Sequence, residues 1–205
     1  MNLAWSTASL LSGNIVRTRG PAGPYKVYLT FDDGPHPEHT NRLLDVLATH
    51  QAKGTFFLVG KAAEQAPNVV RRILREGHAI GNHTMTHPKM RTLPASGQWA
   101  EIDRADEVLQ RLDGARRHAF RPPNGRVTVP TLAAAIWRRQ PLVLWTIDSH
   151  DYKLGAADVI QRLKSLKPSR GDVILFHDDG GCAANALEAL LPEWTSSGLR
   201  FPALS

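Results

Sequence analysis

The chain has 205 residues, of which 42% are hydrophobic and 21% charged, which excludes a disordered chain and predicts one globular domain. Its net charge is +6, but no run of five basic residues occurs and aromatic residues do not interleave with the basic ones, so nucleic-acid binding is not expected. No stretch of 18 apolar residues is present, so no membrane span is expected, and a single cysteine, Cys182, excludes an intrachain disulfide.

The first 25 residues are predicted to form an N-terminal extension, and residues 26–205 a single domain. The opening stretch, MNLAWSTASLLSGNIVRTRG, lacks a basic leader followed by a long apolar run and is therefore a poor secretory signal. A cytoplasmic location is the expectation for this sequence. A secreted or periplasmic location is the alternative if the chain is a trimmed piece of a longer one.

Strand-like and helix-like segments alternate along the first half of the chain. Short β-rich runs between glycines or polar turns predict strands, and leucines or valines at helical spacing predict helices. Thr40 and Asn68 stand where helix N-caps are expected, and Gly77 where a helix should end. In chain order, strands are predicted at 26–31, 54–60 and 78–83, and helices at 40–50, 68–77 and 94–114.

The second half continues the same alternation. An apolar segment leads into a Pro-Pro-Asn-Gly turn, and a helix is predicted after Thr128. Pro192 is expected to bend or end the last helix. Strands are predicted at the start of 118–125 and at 141–148, 171–178 and 199–204, and helices at 128–140, 156–168 and 185–198.

Hydrophobic strand runs separated by helices are typical of a parallel sheet that helices cover. About seven such units predict an α/β fold, either a barrel or an open doubly wound sheet. In both folds the functional site forms from the loops that follow the carboxyl ends of the strands.

Ionisable side chains stand at or just after the predicted carboxyl ends of several strands. Because these ends meet at one edge of a parallel sheet, residues that are distant in sequence are expected to lie together there. Side chains with only structural roles have no reason to collect at one rim, so the placement predicts a site. The residues are Asp32, Asp33, His83, Arg121, Asp148 and His177, with His87 on the same loop as His83.

The segment NHTMTHP predicts a metal site, because His83 and His87 are four residues apart and would share one face of a helical turn. Zinc and related cations bind imidazole nitrogens and carboxylate oxygens. Asp32 and Asp33, in the stretch TFDDGP, leave their strand in opposite directions. One is therefore expected to bind the cation and the other to accept a proton from water. A capped turn is the alternative interpretation of the DDGP stretch.

Several other residues have a structural alternative. Arg121 could be a surface arginine in a turn and His177 a core histidine, although their strand-end positions favour a site. Asp148 fits a site or a loop cap equally well. Cys182 lies near His177 in sequence, but no oxyanion or base arrangement supports a nucleophile there. His36, His39 and His150 are more typical of rim or solvent residues than of ligands.

Five motifs follow one another in a recognisable order: TFDDGP, HTMTHP, RPPNG, DSHDY and LFHD. They resemble the polysaccharide deacetylases, the NodB-homology group of carbohydrate esterase family 4, from about Lys26 to Leu204. The resemblance implies that the single domain is a distorted (β/α)7 barrel. It also implies one divalent cation, most often Zn²⁺ with Co²⁺ or Ni²⁺ as alternatives, and a carbohydrate substrate with N-acetyl groups. The protein is expected to act as a monomer.

The resemblance also implies roles for particular residues. Asp32 takes the place of the general base, and Arg121 that of the arginine that steadies it. His177 takes the place of the catalytic acid, which Asp151 orients. The implied metal ligands are Asp33, His83 and His87.

The motifs on the substrate side depart from the family pattern at two positions. Asn124 stands where the family has a tyrosine, and its backbone N–H is the implied donor to the oxyanion. Tyr152 replaces a tryptophan and gives a smaller wall with a polar tip. Neither change removes a catalytic atom, but both bear on the choice of substrate. Pro123 and Leu175 complete the implied substrate-binding set.

The sequence therefore predicts a metal-dependent hydrolase that removes N-acetyl groups from GlcNAc-containing glycans, such as chitooligosaccharides or peptidoglycan fragments. In this hypothesis Asp32 takes a proton from the attacking water, which the cation activates, and His177 protonates the leaving amine. One alternative is O-deacetylation of a glycan such as xylan, and another is cyclic amide or imide hydrolysis on the same fold. An inactive glycan-binding module is the last alternative, against which the intact candidate residues weigh.

Overall fold

Short strands form the centre of the fold in a computed structural model that describes residues 15–21 and 23–204. Two of the five-residue strands are buried along their whole length. The strands are β1 (Val16–Arg17), β2 (Tyr28–Asp32), β3 (Gly54–Leu58), β4 (Ala79–Asn82), β5 (Leu142–Val143), β6 (Ile147–Asp148) and β7 (Val173–His177).

All the strand pairs are parallel. Five strands lie in the order β4-β3-β2-β7-β6, and β1 pairs with β5. Isolated bridges at Phe120 connect Asn82, at the end of β4, with Leu142 in β5. Strands β5 and β6 lie in one continuous segment. Its start, at β5, bridges to Phe120, and its end, at β6, pairs with β7. The sheet therefore closes into a distorted barrel, which confirms the predicted α/β class.

Helices alternate with these strands and cover the barrel. Among the described residues, a helix with the length and apolar character of a membrane span is not found. Two short 3-10 turns lie at Met90–Thr92 and Pro123–Gly125. The helices are α1 (His39–Thr49), α2 (Gly60–Gln65), α3 (Pro67–Arg75), α4 (Ala95–Asp113), α5 (Val129–Arg138), α6 (Ala156–Leu166) and α7 (Cys182–Ser196).

Side chains alternate between the two faces of the strands, and this alternation directs the site residues inward. Phe31 of β2 stacks on Phe176 of β7 with ring centroids 5.9 Å apart, in the large apolar cluster beneath the helices. Tyr28 faces the other way, into a smaller apolar cluster inside the barrel. By the same alternation Asp32 and His177 point into the barrel at the carboxyl ends of their strands.

Several predicted caps are wrong. Thr40 does not cap α1, because it lies buried in the first turn of that helix. Asn68 does not cap α3, since Pro67 occupies the first helical position and supplies the fixed φ that a helix start favours. Pro192 does not end α7, which continues beyond it. Helix α5 begins after Thr128, as predicted, and the Thr128 hydroxyl caps it by accepting from the Thr131 N–H in the first turn.

Three predicted strands are shorter than the sequence suggested. The one at the start of 118–125 is reduced to the bridge at Phe120, and the one at 199–204 to a bridge between Arg200 and Lys26. The segment 141–148 divides into β5 and β6. Between them the guanidinium of Arg121 donates hydrogen bonds to the backbone carbonyls of Val143 and Leu144. Strand β1 lies within the predicted extension at 1–25, and α2 was not predicted.

Candidate active site

Predicted site residues from separate strands converge at the carboxyl end of the barrel. The register of β2 and β7 places Asp32 directly opposite His177. His83 follows β4, and its Nε2 lies 3.7 Å from a carboxylate oxygen of Asp32. The parallel direction of the strands is what brings these residues together, as the sequence predicted.

Asp33, His83 and His87 form a compact group in which one ligand atom from each residue lies within 4.8 Å of the others. Asp33 Oδ1 is 3.4 Å from His83 Nε2 and 3.3 Å from His87 Nε2. The spacing suggested that the two histidines share a helical turn, but they do not. They are brought together by a tight loop in which Thr84 has a φ of 71° and His87 a φ of 53°.

The chemistry of these three side chains fits a divalent cation. His83 Nδ1–H donates to the backbone carbonyl of Arg121 at 2.7 Å, which leaves the Nε2 lone pair directed at Asp33. Asp33 Oδ1 is buried and has no hydrogen-bond partner within 15–21 and 23–204. A carboxylate oxygen and imidazole lone pairs that face one another require a positive charge, and this set suits Zn²⁺.

Charge and burial shift the pKa values of the same side chains. Burial raises the pKa of Asp33, but the imidazoles of His83, His87 and His177 outweigh it and hold the pKa below its usual value. Burial, and then the neighbouring His83, lower the pKa of His87 against the attraction of the carboxylates. Both shifts favour the ionised carboxylate and the neutral imidazole, which are the forms that bind a cation.

Arg121 is fully buried, which rules out the alternative of a surface arginine. Its Nη1 donates to Asp32 Oδ1 at 2.7 Å, while its own carbonyl accepts from His83, so one residue orients both a carboxylate and an imidazole. Burial lowers the pKa of Arg121, and Asp32 opposes that shift. The other donors of the guanidinium go to Thr30 Oγ1 at 2.9 Å, the Val143 carbonyl at 3.1 Å and the Leu144 carbonyl at 3.2 Å.

His177 is held by Asp151 through two hydrogen bonds. Its Nδ1 lies 2.8 Å from Asp151 Oδ1, and its backbone N–H donates to Asp151 Oδ2 at 2.8 Å. Ser149 Oγ donates to the first of these oxygens at 3.0 Å. Burial lowers the pKa of His177, but the hydrogen bond to Asp151 and the nearby carboxylates outweigh it and raise the pKa to about 9. The imidazole is therefore protonated at neutral pH.

The residues predicted to contact substrate lie at different depths. The ring of Tyr152 is 52% exposed and meets the His177 ring edge-on, with centroids 5.1 Å apart. Asn124 is exposed and has a φ of 56°. Pro123 is buried, and Leu175 is buried two positions before His177 on the same strand. Asn124 and Tyr152 are accessible to a ligand, whereas Leu175 lies beneath the floor of the site.

Asp178 positions the turn after Asp33, a role that the sequence prediction missed. It accepts hydrogen bonds from the Gly34 N–H at 3.0 Å and from the hydroxyl of Thr40. A Cβ on Gly34 would lie 2.1 Å from the Asp178 carboxylate, so only glycine permits this approach. Burial raises the pKa of Asp178 to about 7 despite these bonds. The only sequence feature that could have indicated this role is the position of Asp178 next to His177 in the LFHD motif.

The remaining ionisable candidates lie around the rim. Asp148 Oδ1 accepts from the His150 N–H at 2.9 Å, which is the loop-capping role that the sequence left open. The rings of His36 and His39 stack on each other with centroids 4.3 Å apart. Burial raises the pKa of Cys182, which disfavours the thiolate that a nucleophile requires.

Comparisons with known proteins show what this chain is similar to. Residues 19–136 match the family model described as polysaccharide deacetylase. A peptidoglycan-N-acetylglucosamine deacetylase of Bacillus cereus is 36% identical over 205 residues, which are 98% of this chain and 74% of that protein. A chitooligosaccharide deacetylase of Sinorhizobium fredii is 35% identical over 173 residues, 82% of this chain and 78% of that protein. The crystal structure of the Bc1960 peptidoglycan N-acetylglucosamine deacetylase is 35% identical with a TM-score of 0.87, covering 98% of this chain and 95% of that one.

Proposed function

Since this chain belongs to the polysaccharide deacetylase family, whose named members here deacetylate glycans, we propose that it removes N-acetyl groups from GlcNAc-containing glycans with a bound divalent cation. The observation that carries the proposal is Asp33 Oδ1, which is buried, lacks a hydrogen-bond partner in the described part of the chain, and faces two imidazoles. Zn²⁺ is the proposed ion, because two histidines and a carboxylate are a typical catalytic zinc set.

The cation is held by Asp33, His83 and His87. When bound, a divalent cation supplies a Lewis acid that lowers the pKa of water and polarises a carbonyl oxygen. An acetamide requires both effects, because it is a weak electrophile and neutral water is a weak nucleophile.

Asp32 is the proposed general base. Arg121 fixes one of its carboxylate oxygens at 2.7 Å, and the other oxygen lies 3.7 Å from His83 Nε2, next to the ligand group. That second oxygen accepts a proton from the water that attacks the acetyl carbon. Because the guanidinium is buried and bonded in four directions, it holds the carboxylate at one angle.

His177 is the proposed general acid. Its pKa of about 9 keeps a proton on the ring at neutral pH, and Asp151 occupies Nδ1, so Nε2–H remains as the donor. The leaving sugar amine cannot depart as an anion, and His177 therefore donates this proton to the nitrogen as the C–N bond breaks.

Asn124 and Tyr152 are proposed to contact the substrate. The backbone N–H of Asn124 is the proposed donor to the oxyanion, an interaction typically worth about 3 kcal/mol. The exposed ring of Tyr152 stands against His177, where a pyranose ring can pack on it. Asn124 offers a shorter side chain than tyrosine, which leaves a wider opening for a branched glycan.

Acetate release tests this proposal. The protein is treated with chelator, reloaded with Zn²⁺, and assayed on GlcNAc oligomers, peptidoglycan fragments and acetylated xylan. Release from the first two substrates, lost on chelation and restored by Zn²⁺, is the expected result. Release from xylan alone, or release that chelation leaves unchanged, would contradict the proposal.

A further inference from the structure

The loop that carries the two histidine ligands has an unfavourable backbone conformation. Thr84 has a φ of 71° and His87 a φ of 53°, which non-glycine residues seldom adopt. Such conformations persist only where the surrounding structure holds them in place. The ligand geometry at His83 and His87 therefore depends on contacts outside the ligand set.

Helix α4 provides contacts to the middle of this loop through one residue, Glu101. The backbone carbonyl of Glu101 accepts from the Met85 N–H at 3.0 Å. Its side chain accepts from the Thr86 N–H at 2.8 Å and from the Thr86 hydroxyl at 3.1 Å. Glu101 thus accepts hydrogen bonds from the Met85 N–H, the Thr86 N–H and the Thr86 hydroxyl, although it lies 15 positions after Thr86 in the chain.

The start of the loop is fixed to the same helix through Asn82. Its side-chain N–H groups donate to the Ile102 carbonyl at 2.8 Å and to Asp106 Oδ1 at 2.9 Å. Its oxygen accepts from the Thr84 N–H at 2.8 Å. The Thr84 hydroxyl in turn accepts from the His87 N–H at 3.1 Å. The buried start of the loop is therefore held independently of Glu101.

We propose that Glu101 is a positioning residue for the cation site, which holds Thr86 so that the imidazole of His87 stays opposite His83 and Asp33. The inference rests on the proposed cation site. Glu101 does not touch the three ligands; it acts through the backbone between them. Asn82 fixes the start of the loop and Thr84 accepts from the His87 N–H, so loss of Glu101 releases Thr86, the residue before His87, while the fold is kept.

The test compares Glu101→Ala with Glu107→Ala, a control at an exposed glutamate six residues further along the same helix. Zn²⁺ affinity of the metal-free proteins is measured by competition with a chromophoric chelator. Loss of a group that orients a ligand typically weakens metal affinity by about 10- to 100-fold, and this is expected for Glu101→Ala. The control should bind like wild type, and the melting temperatures of all metal-free proteins should agree.

Glu101→Gln separates positioning from a purely structural role. Glutamine retains one acceptor for the Thr86 N–H but presents an amide NH₂ in place of the second oxygen, so an intermediate affinity is expected. The visible absorption of the Co²⁺-loaded proteins reports ligand geometry directly, and it should change in Glu101→Ala but not in Glu107→Ala.

Wild-type Zn²⁺ affinity and an unchanged Co²⁺ spectrum in Glu101→Ala would overturn the inference. A Glu101→Ala protein that melts earlier without Zn²⁺ and loses affinity only in proportion to its unfolded fraction would overturn it as well. If the wild-type protein itself binds neither ion, the proposed cation site fails instead, so the two failures are distinguishable.

Discussion

Asp32 and Asp33 are neighbours in sequence, yet they belong to halves of the site that are built differently. In the acid–base half (Asp32, Arg121, Asp151 and His177), each carboxylate is hydrogen-bonded to a cationic or protonated side chain. In the cation half (Asp33, His83 and His87), the carboxylate oxygen faces two imidazoles and has no hydrogen bond among the described residues. The first half is complete within the folded chain, whereas the second is the proposed site of an ion.

The two halves also differ in how far their side chains are exposed to solvent. The side chains of Asp32 and Arg121 are 5% and 0% exposed, whereas those of Asp33 and His87 are 27% and 32% exposed. His83 is only 2% exposed, but the partly exposed Asp33 and His87 let an ion enter without opening the fold. The pairing in the acid–base half should therefore stabilise the folded chain without an ion, whereas the cation half should stabilise it much more once an ion is bound.

Arg121→Met should have the largest effect on stability. It leaves the Asp32 carboxylate buried without its partner and deprives two carbonyls of their donor, which typically costs about 3–5 kcal/mol in the free energy of unfolding. Denaturant unfolding of the metal-free protein measures the loss. Arg111→Met is the control, because its pair with Glu64 is exposed and should contribute under about 1 kcal/mol. Equal effects of the two substitutions would contradict the distinction between the halves.

His177→Ala should have the largest effect on turnover. Loss of a general acid typically lowers kcat by about 10²- to 10⁴-fold, while the three ligands remain intact. Acetate release and Zn²⁺ affinity are measured on the same preparation, with His50→Ala as a control for removing a histidine distant from the site. More than a tenth of wild-type turnover in His177→Ala would end its assignment as the acid.

Asp33→Asn should separate stability from ion binding. Without metal, the variant should be no more stable than wild type at neutral pH, since the pKa of Asp33 lies below its usual value and its charged form is therefore favoured in the fold. Saturating Zn²⁺ should raise the melting temperature of wild type only, because a ligand at 100 times its Kd stabilises a protein by about 2.7 kcal/mol. A Zn²⁺-dependent shift of equal size in both proteins would exclude Asp33 as a ligand.

Two buried histidines outside the site extend the contrast between paired and unpaired groups. Burial lowers the pKa of His118, but hydrogen bonds with Asp106 and Asp113 outweigh it and raise the pKa to about 9. Relative to an unfolded value of 6.5, its protonation stabilises the fold fully below pH 6.5, and this contribution is lost as the pH rises through 9. The stability advantage of wild type over His118→Gln should therefore shrink between pH 6 and 9.5 in denaturant unfolding. A constant difference would contradict the pairing.

His78 should show a pH dependence of stability with the opposite sign. Burial and the nearby Lys53 lower its pKa to about 4, and its Nδ1 accepts from the Gly54 N–H at 3.0 Å. The unfolded chain therefore binds a proton first as the pH falls from 6.5 towards 4, and stability declines over that range. His78→Asn keeps an acceptor but does not titrate, so its stability relative to wild type should rise from pH 7 to 4.5. A flat difference would exclude His78 as the source.

The sequence predicted the spatial grouping of the site better than its supporting contacts. Strand-end positions were enough to place Asp32, Asp33 and His177 together, because parallel strands align their carboxyl ends. The spacing of His83 and His87 predicted their proximity but gave the wrong backbone, since a helical turn and a loop with positive φ both bring such residues close. The assigned roles remain predictions that the experiments above address.

By itself the sequence determined the α/β class and the set of residues at the rim of the sheet, because hydrophobic periodicity and strand-end polarity are local properties of the chain. The pattern left a barrel and an open sheet as alternatives, and only the family resemblance implied the barrel. Only the tertiary structure decided that the Arg121 carbonyl orients His83, that Asp178 holds the turn after Asp33, and that Glu101 bonds the loop before His87. These contacts join segments far apart in sequence, and no local pattern specifies which distant donor and acceptor packing will bring within 3 Å of each other.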